Sequence, residues 1–176
     1  MVGIKTLADT LTSMRFLLAC YLIWLGWQKG PAAIGSATLA LLTAWITDVL
    51  DGPLARRDPR GIRTWIGDRD LEADMAVALG VWIYLTLAGF LSPWLAGVYL
   101  LVAAVALWRL GSAQLAWGVQ AVPYGAMIWT SWRTAPVYGL LLVTYLGLVV
   151  VATWPRFPRQ TVPEFLNGMR DLWRQR

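Results

Sequence analysis

Asp48 and Asp51 stand three residues apart, and Asp70 and Asp74 stand four apart. Either spacing puts two carboxylates on one face of an α-helix. Each pair lies where an apolar stretch meets the polar segment 52–69, so one segment joins both helix ends at a single level. Four carboxylates from two neighbouring helices can therefore converge. Carboxylates crowded together repel one another unless a cation sits among them. Hard divalent cations such as Mg²⁺, Mn²⁺ or Ca²⁺ take all-oxygen ligand sets. Zinc would normally recruit His or Cys, and the chain has no histidine and one cysteine, Cys20. The same absences exclude a histidine base, a CxxC redox pair and an intramolecular disulfide.

The segment between the pairs carries Arg56, Arg57, Arg60, Arg63 and Arg69 and no lysine. Guanidinium groups bind phosphate with two parallel hydrogen bonds. Carboxylates, a divalent cation and arginines together point to phosphoryl chemistry. The plainer alternative is that these arginines simply neutralise the acids.

The elements that must hold these residues are membrane helices. The 176 residues are 58% apolar and 14% charged, with 12 tryptophans; soluble domains run about 45–50% apolar and about 25% charged. A spanning helix takes roughly 20 apolar residues. The chain divides into six such stretches: 11–28, 32–51, 70–91, 94–109, 113–132 with Pro123 as a kink, and 136–154. Segment 52–69 is the connecting loop, and 156–176 is a basic tail whose Val162, Phe165, Leu166, Met169 and Trp173 share a helical face. Such a tail suits a membrane surface. No room is left for a separate soluble domain, and the whole chain reads as one all-α membrane domain. The N-terminus shows no small-residue cleavage motif, so no cleaved leader is expected.

With six spans, both termini, the 52–69 loop and Arg109 share one side. That side collects 13 of the 15 Lys and Arg residues, all but Lys29 and Arg133, and all ten acids. The basic excess makes it cytoplasmic. The net charge of +5 is thus a topology signal, with no nucleic-acid partner expected. Trp27, Trp94, Trp108, Trp129, Trp132 and Trp154 fall near span ends, as interfacial anchors do.

The run Asp48-Val-Leu-Asp51-Gly52-Pro-Leu-Ala55-Arg56, followed by Gly67 and by Asp70-Leu-Glu-Ala-Asp74, resembles the signature of the CDP-alcohol phosphotransferases, DxxDGxxARx8GxxxDxxxD. Leu11-Thr12-Ser13-Met14-Arg15 resembles the LTxxR stretch that often opens the first helix of that family. The resemblance implies a six-helix membrane enzyme, with both termini cytoplasmic, that displaces CMP from a CDP-linked alcohol. By the same resemblance, Asp48, Asp51 and Asp70 would ligate Mg²⁺ or Mn²⁺. Asp74 would be the general base and could also touch metal. Gly52, Ala55 and Gly67 would lie against the nucleotide, Arg56 against the donor phosphates and Arg109 against an acceptor phosphate. It further implies a CDP-diacylglycerol donor, or another CDP-alcohol, and a homodimer in the bilayer. The first-choice acceptor is the small polar alcohol glycerol 3-phosphate; inositol phosphate, serine or a lipid alcohol are the other branches.

The chain departs from the pattern at two places. Thirteen residues separate Arg56 from Asp70, where the family has 12, and Gly67 precedes Asp70 by three instead of four. A rival register would use Asp68 and Glu72. The third helix also lacks the proline and lysine of the DPLADK run found in many phosphatidylglycerophosphate synthases, which bears on the acceptor. Two further classes fit less of the sequence. A divalent-cation transporter needs acids along its path, and spans four to six contain none. An inactive scaffold would not retain four aspartates together with Gly52, Ala55 and Arg56.

Overall fold

The computed structural model describes residues 4–56, 69–155, 158–159 and 162–174, with backbone alone for 4–8, 51–56, 169 and 171–174. These residues form seven α-helices and no strand: α1 (Ile4–Gln28), α2 (Ile34–Arg56), α3 (Asp70–Leu87), α4 (Pro93–Leu110), α5 (Ala113–Thr134), α6 (Pro136–Ala152) and α7 (Val162–Arg174). Among the described residues, three segments are long and apolar enough to cross a membrane: Asp9–Gln28, Gly30–Leu50 and Pro93–Leu110. α6 is a shorter apolar helix. α3 and α5 run 18 and 22 residues but carry more polar groups, Asp70, Glu72 and Asp74 in one, Gln120, Ser131 and Arg133 in the other.

The outer surface is apolar, as a lipid-facing surface must be. Leu17, Leu101, Val137 and Val151 are exposed, as are Trp27, Trp94, Trp108, Trp129, Trp132 and Trp154. The centre is built from buried stripes of α1, α2, α3, α5 and α6, including Leu22, Leu41, Val81, Leu85, Met127 and Leu142. Buried hydroxyl and indole groups find partners, because no water competes for them in hydrocarbon. The Thr38 and Ser131 hydroxyls bond each other at 2.8 Å across α2 and α5, and Trp82 Nε1 donates to the Ala96 carbonyl at 3.2 Å.

α1 packs most extensively on α3, its parallel neighbour, and then on α2. Small residues permit the α1–α3 contact. A Cβ on Gly80 would lie 2.8 Å from the Ala19 carbonyl oxygen, and one on Gly26 would lie 3.1 Å from the Tyr84 Cα. The α4–α5 turn is two residues long: Gly111 closes α4 in the left-handed region at φ 52°, and the Ser112 hydroxyl accepts the Leu115 N–H at 3.1 Å. α7 rests on the start of α5, with Gly168 against Gln114.

Three boundaries differ most from the sequence expectation, the first being that α1 begins at Ile4 and not at residue 11. α2 does not stop at Asp51 but continues through Gly52-Pro53 to Arg56. Pro53 removes only one N–H from the helix, a loss that membrane helices tolerate. Gly52, Ala55 and Arg56 therefore belong to the helix and not to the loop. α3 ends at Leu87, four residues early, where Gly89 turns the chain at φ 78°. The expected loop residues 57–68 lie outside the described residues.

The α1–α3 contact can be tested directly. Gly80→Val should lower the thermal midpoint by an amount corresponding to about 1–3 kcal/mol of overpacking. Gly97→Ala, where a Cβ meets nothing within 4 Å, should leave it unchanged. Differential scanning in detergent checks both.

Candidate active site: a carboxylate cluster on a buried guanidinium

At one end of the bundle, three buried helix stripes end in charge. On α3 the stripe Tyr84, Val81, Val77 runs back at helical spacing to Asp74 and Asp70. On α2 the buried Ala37, Leu41 and Ala44 lead to Asp48. On α1 the buried face Leu22, Ala19 leads to Arg15 and Thr12. Because α1 and α3 run parallel and α2 runs against them, these ends meet.

One carboxylate oxygen each from Asp48, Asp70 and Asp74 lies within 4.8 Å of the others. Arg15 joins all three. Its Nη1 donates to Asp48 Oδ1 at 3.0 Å and to Asp74 Oδ1, and its Nη2 donates to Asp70 Oδ1. Exposure divides the site into a floor and a mouth. The Arg15 side chain is 1% exposed, whereas Asp48, Asp70 and Asp74 are 42%, 50% and 24% exposed. The guanidinium thus lies on the protein side of the cluster, and the carboxylates remain reachable from outside.

α5 supports the site from one flank. Tyr124 Oη donates to the Asp74 backbone carbonyl at 3.1 Å, and the Trp45 ring meets Tyr124 edge-on at 5.4 Å between centroids. Trp45, Tyr124, Tyr145 and Val149 line an apolar trough of about 410 Å³ between α2, α5 and α6, with Asp48 among its lining residues. A second apolar cavity of about 290 Å³ lies between α3, α4 and α5 and is lined by Glu72.

Of the residues singled out by sequence, Asp48, Asp70 and Asp74 are brought together. Asp51, Gly52, Ala55 and Arg56 follow Asp48 on α2, where positions 48, 51, 52 and 55 share one face of the helix. Gly67 lies outside the described residues, as does Asp68 of the rival register; its partner Glu72 borders the second cavity. Arg109 is exposed in the last turn of α4, with its guanidinium 5.5 Å from the Trp108 ring centre. Leu107, one half-turn earlier, shares a cavity with Glu72, which places Arg109 at the cluster's end of the bundle. The residue that sequence reading left without a role is Arg15.

The donor set is oxygen only, it is clustered, and it opens outward on half-exposed carboxylates. Those properties fit a hard divalent cation. Asp48, Asp70 and Asp74 would hold it, and when bound it would supply positive charge against phosphate oxygens and a leaving group.

The sequence pattern of the CDP-alcohol phosphatidyltransferases matches residues 5–160. Searches of curated proteins and of solved structures return no match. The matched family is generally dependent on a divalent metal and uses CDP-alcohol donors with alcohol acceptors in membranes. With the pattern spanning all six long helices and the aspartates of α2 and α3 converged, the chain belongs to the CDP-alcohol phosphatidyltransferase family, membrane transferases that build phospholipids by phosphatidyl transfer.

Proposed function

We propose that this protein transfers the phosphatidyl group of CDP-diacylglycerol to glycerol 3-phosphate and releases CMP. The observation that carries the proposal is the convergence of Asp48, Asp70 and Asp74 oxygens within 4.8 Å at the outward-facing end of the buried stripes. A soluble nucleotide and a membrane lipid would both have to reach that level. The trough between α2, α5 and α6 supports a lipid donor, since it is apolar along its length and reaches Asp48. The exposed guanidinium of Arg109 at the same end supports an acceptor that carries a phosphate.

The residues divide the work as follows. Asp48, Asp51 and Asp70 would hold a divalent cation, Mg²⁺ or Mn²⁺, which Asp74 could also touch, and Arg56 would contact the donor phosphates. Gly52, Ala55 and Gly67 let the cytidine lie close to the backbone. Asp74 accepts the proton of the acceptor hydroxyl. The acceptor oxygen then bonds to the β-phosphorus in line, and the bond from that phosphorus to the bridging oxygen breaks. CMP departs with the bridging oxygen and its electron pair. The chain acts as one domain of six spans, with α3, α5 and α6 completing the count, both termini and the cluster on the cytoplasmic side, and two copies forming a homodimer. The distribution of Lys and Arg supports that orientation.

The deciding experiment is CMP release from CDP-diacylglycerol by purified protein with Mg²⁺ or Mn²⁺ across glycerol 3-phosphate, inositol phosphate, serine and lipid alcohols. Turnover with glycerol 3-phosphate is expected; turnover with another acceptor alone transfers the assignment to that branch. Chelation by EDTA should stop release, and added Mg²⁺ or Mn²⁺ should restore it. Asp74→Asn should reduce turnover by about 10²–10⁴-fold, the usual worth of a positioned base, in protein that still folds. Full activity after that substitution would remove the base from this position. Arg109→Ala should raise the KM for glycerol 3-phosphate while leaving the KM for the donor unchanged.

A further inference from the structure

A charge on a buried stripe inside a membrane bundle is costly, and it persists only with a partner or a task. Arg15 is buried, yet the reaction proposed above assigns it no step. Its three acceptors come from two other helices, α2 and α3, and in each case the bonded atom is Oδ1. Thr12, one turn earlier on α1, is buried beside it, with Oγ1 at 3.4 Å from Nη2. The planar guanidinium presents its donors in a fixed fork, so the three Oδ1 atoms are held in a fixed relation to one another. The burial runs opposite to the exposure of the carboxylates, which open away from Arg15.

We propose that Arg15 is the positioning residue of the metal site: from the buried side it grips one oxygen of Asp48, Asp70 and Asp74, so that the second oxygen of each is turned to the exposed side, where the divalent cation and the acceptor hydroxyl arrive. The inference rests on the metal reading given above. Partners in the layer behind metal ligands fix ligand orientation, and losing one costs metal affinity even though it never touches the ion. Arg15 also fastens α1 to the other two helices, so the site is assembled before the cation arrives. Its positive charge opposes the cation electrostatically; the orientation it imposes outweighs that repulsion.

The test uses the full chain in detergent or nanodiscs, with Mn²⁺ as the probe and free Mn²⁺ read by electron paramagnetic resonance. All titrations run well below each variant's thermal midpoint. Arg15→Gln keeps a hydrogen-bonding side chain without the charge or the fork, and it should weaken Mn²⁺ binding by about 10–100-fold. Arg15→Lys keeps the charge but not the fork; it should recover most of the thermal stability while remaining about 3–10-fold weaker in Mn²⁺ affinity. That split between stability and affinity separates positioning from a purely structural ion pair. Affinity in Arg15→Gln that equals or exceeds the wild type overturns the proposal and makes Arg15 a competitor of the cation. If Arg15→Gln does not fold, Arg15→Lys decides alone, and wild-type affinity there overturns it. Wild-type protein that binds no Mn²⁺ would instead remove the metal reading on which this inference depends.

Discussion

Three like charges from two helices meet at one level of the bundle, and the buried Arg15 guanidinium from a third helix is what lets them stay there. Without it, Asp48, Asp70 and Asp74 would face one another within 4.8 Å, at the edge of a low-dielectric interior where repulsion is poorly screened. Removing one partner from such a group costs more than the group itself is worth, because the remaining charges are left uncompensated. The arrangement also ties three helix ends together at one point. The helix register of α1, α2 and α3 is set further inside the bundle by apolar stripes, and the ion cluster marks where those stripes reach the surface.

Much of this was legible in the residues. The three- and four-residue spacings of the aspartates needed only the period of a helix, and their place at the ends of apolar stretches supplied the level. The end of α2 was less legible. Gly52-Pro53 has the composition of a turn, yet the helix passes through it to Arg56, because a single missing N–H does not end a helix held by its neighbours. Arg15 was harder still. A lone arginine near the start of an apolar stretch has the look of a topology signal. Only its position on the stripe Thr12, Arg15, Ala19, Leu22, Gly26 indicates that it points inward. Which helix would meet that stripe could not be read locally: α1 prefers α3 to its sequence neighbour α2, and the reason is the lack of a side chain at Gly26 and Gly80.

The bundle is also uneven around its axis. α1, α2 and α3 form the tight part, while α4 is covered mainly on one side and exposes Leu95, Leu101, Val102 and Trp108. Polar contacts replace hydrophobic drive in the looser half: Tyr124 to the Asp74 carbonyl, Tyr145 to the Trp45 carbonyl, and Tyr99 to the Val119 carbonyl. Tyrosine suits this work, since its ring fills apolar space and its hydroxyl satisfies a carbonyl that would otherwise accept only within its own helix. Two of these bonds lie beside the trough that reaches Asp48, since Tyr124 and Tyr145 are among its lining residues.

On the proposed reading, the trough between α2, α5 and α6 sets how the enzyme meets its donor. A groove lined by Trp45, Tyr145 and Val149 and ending at Asp48 is entered sideways, from within a leaflet. The encounter is then a search in two dimensions, and the quantity that governs it is the donor's mole fraction among lipids, not its concentration in the aqueous volume. Diluting the membrane with inert lipid would slow such an enzyme while the total donor stayed constant. Its output would follow the composition of the bilayer in which it sits.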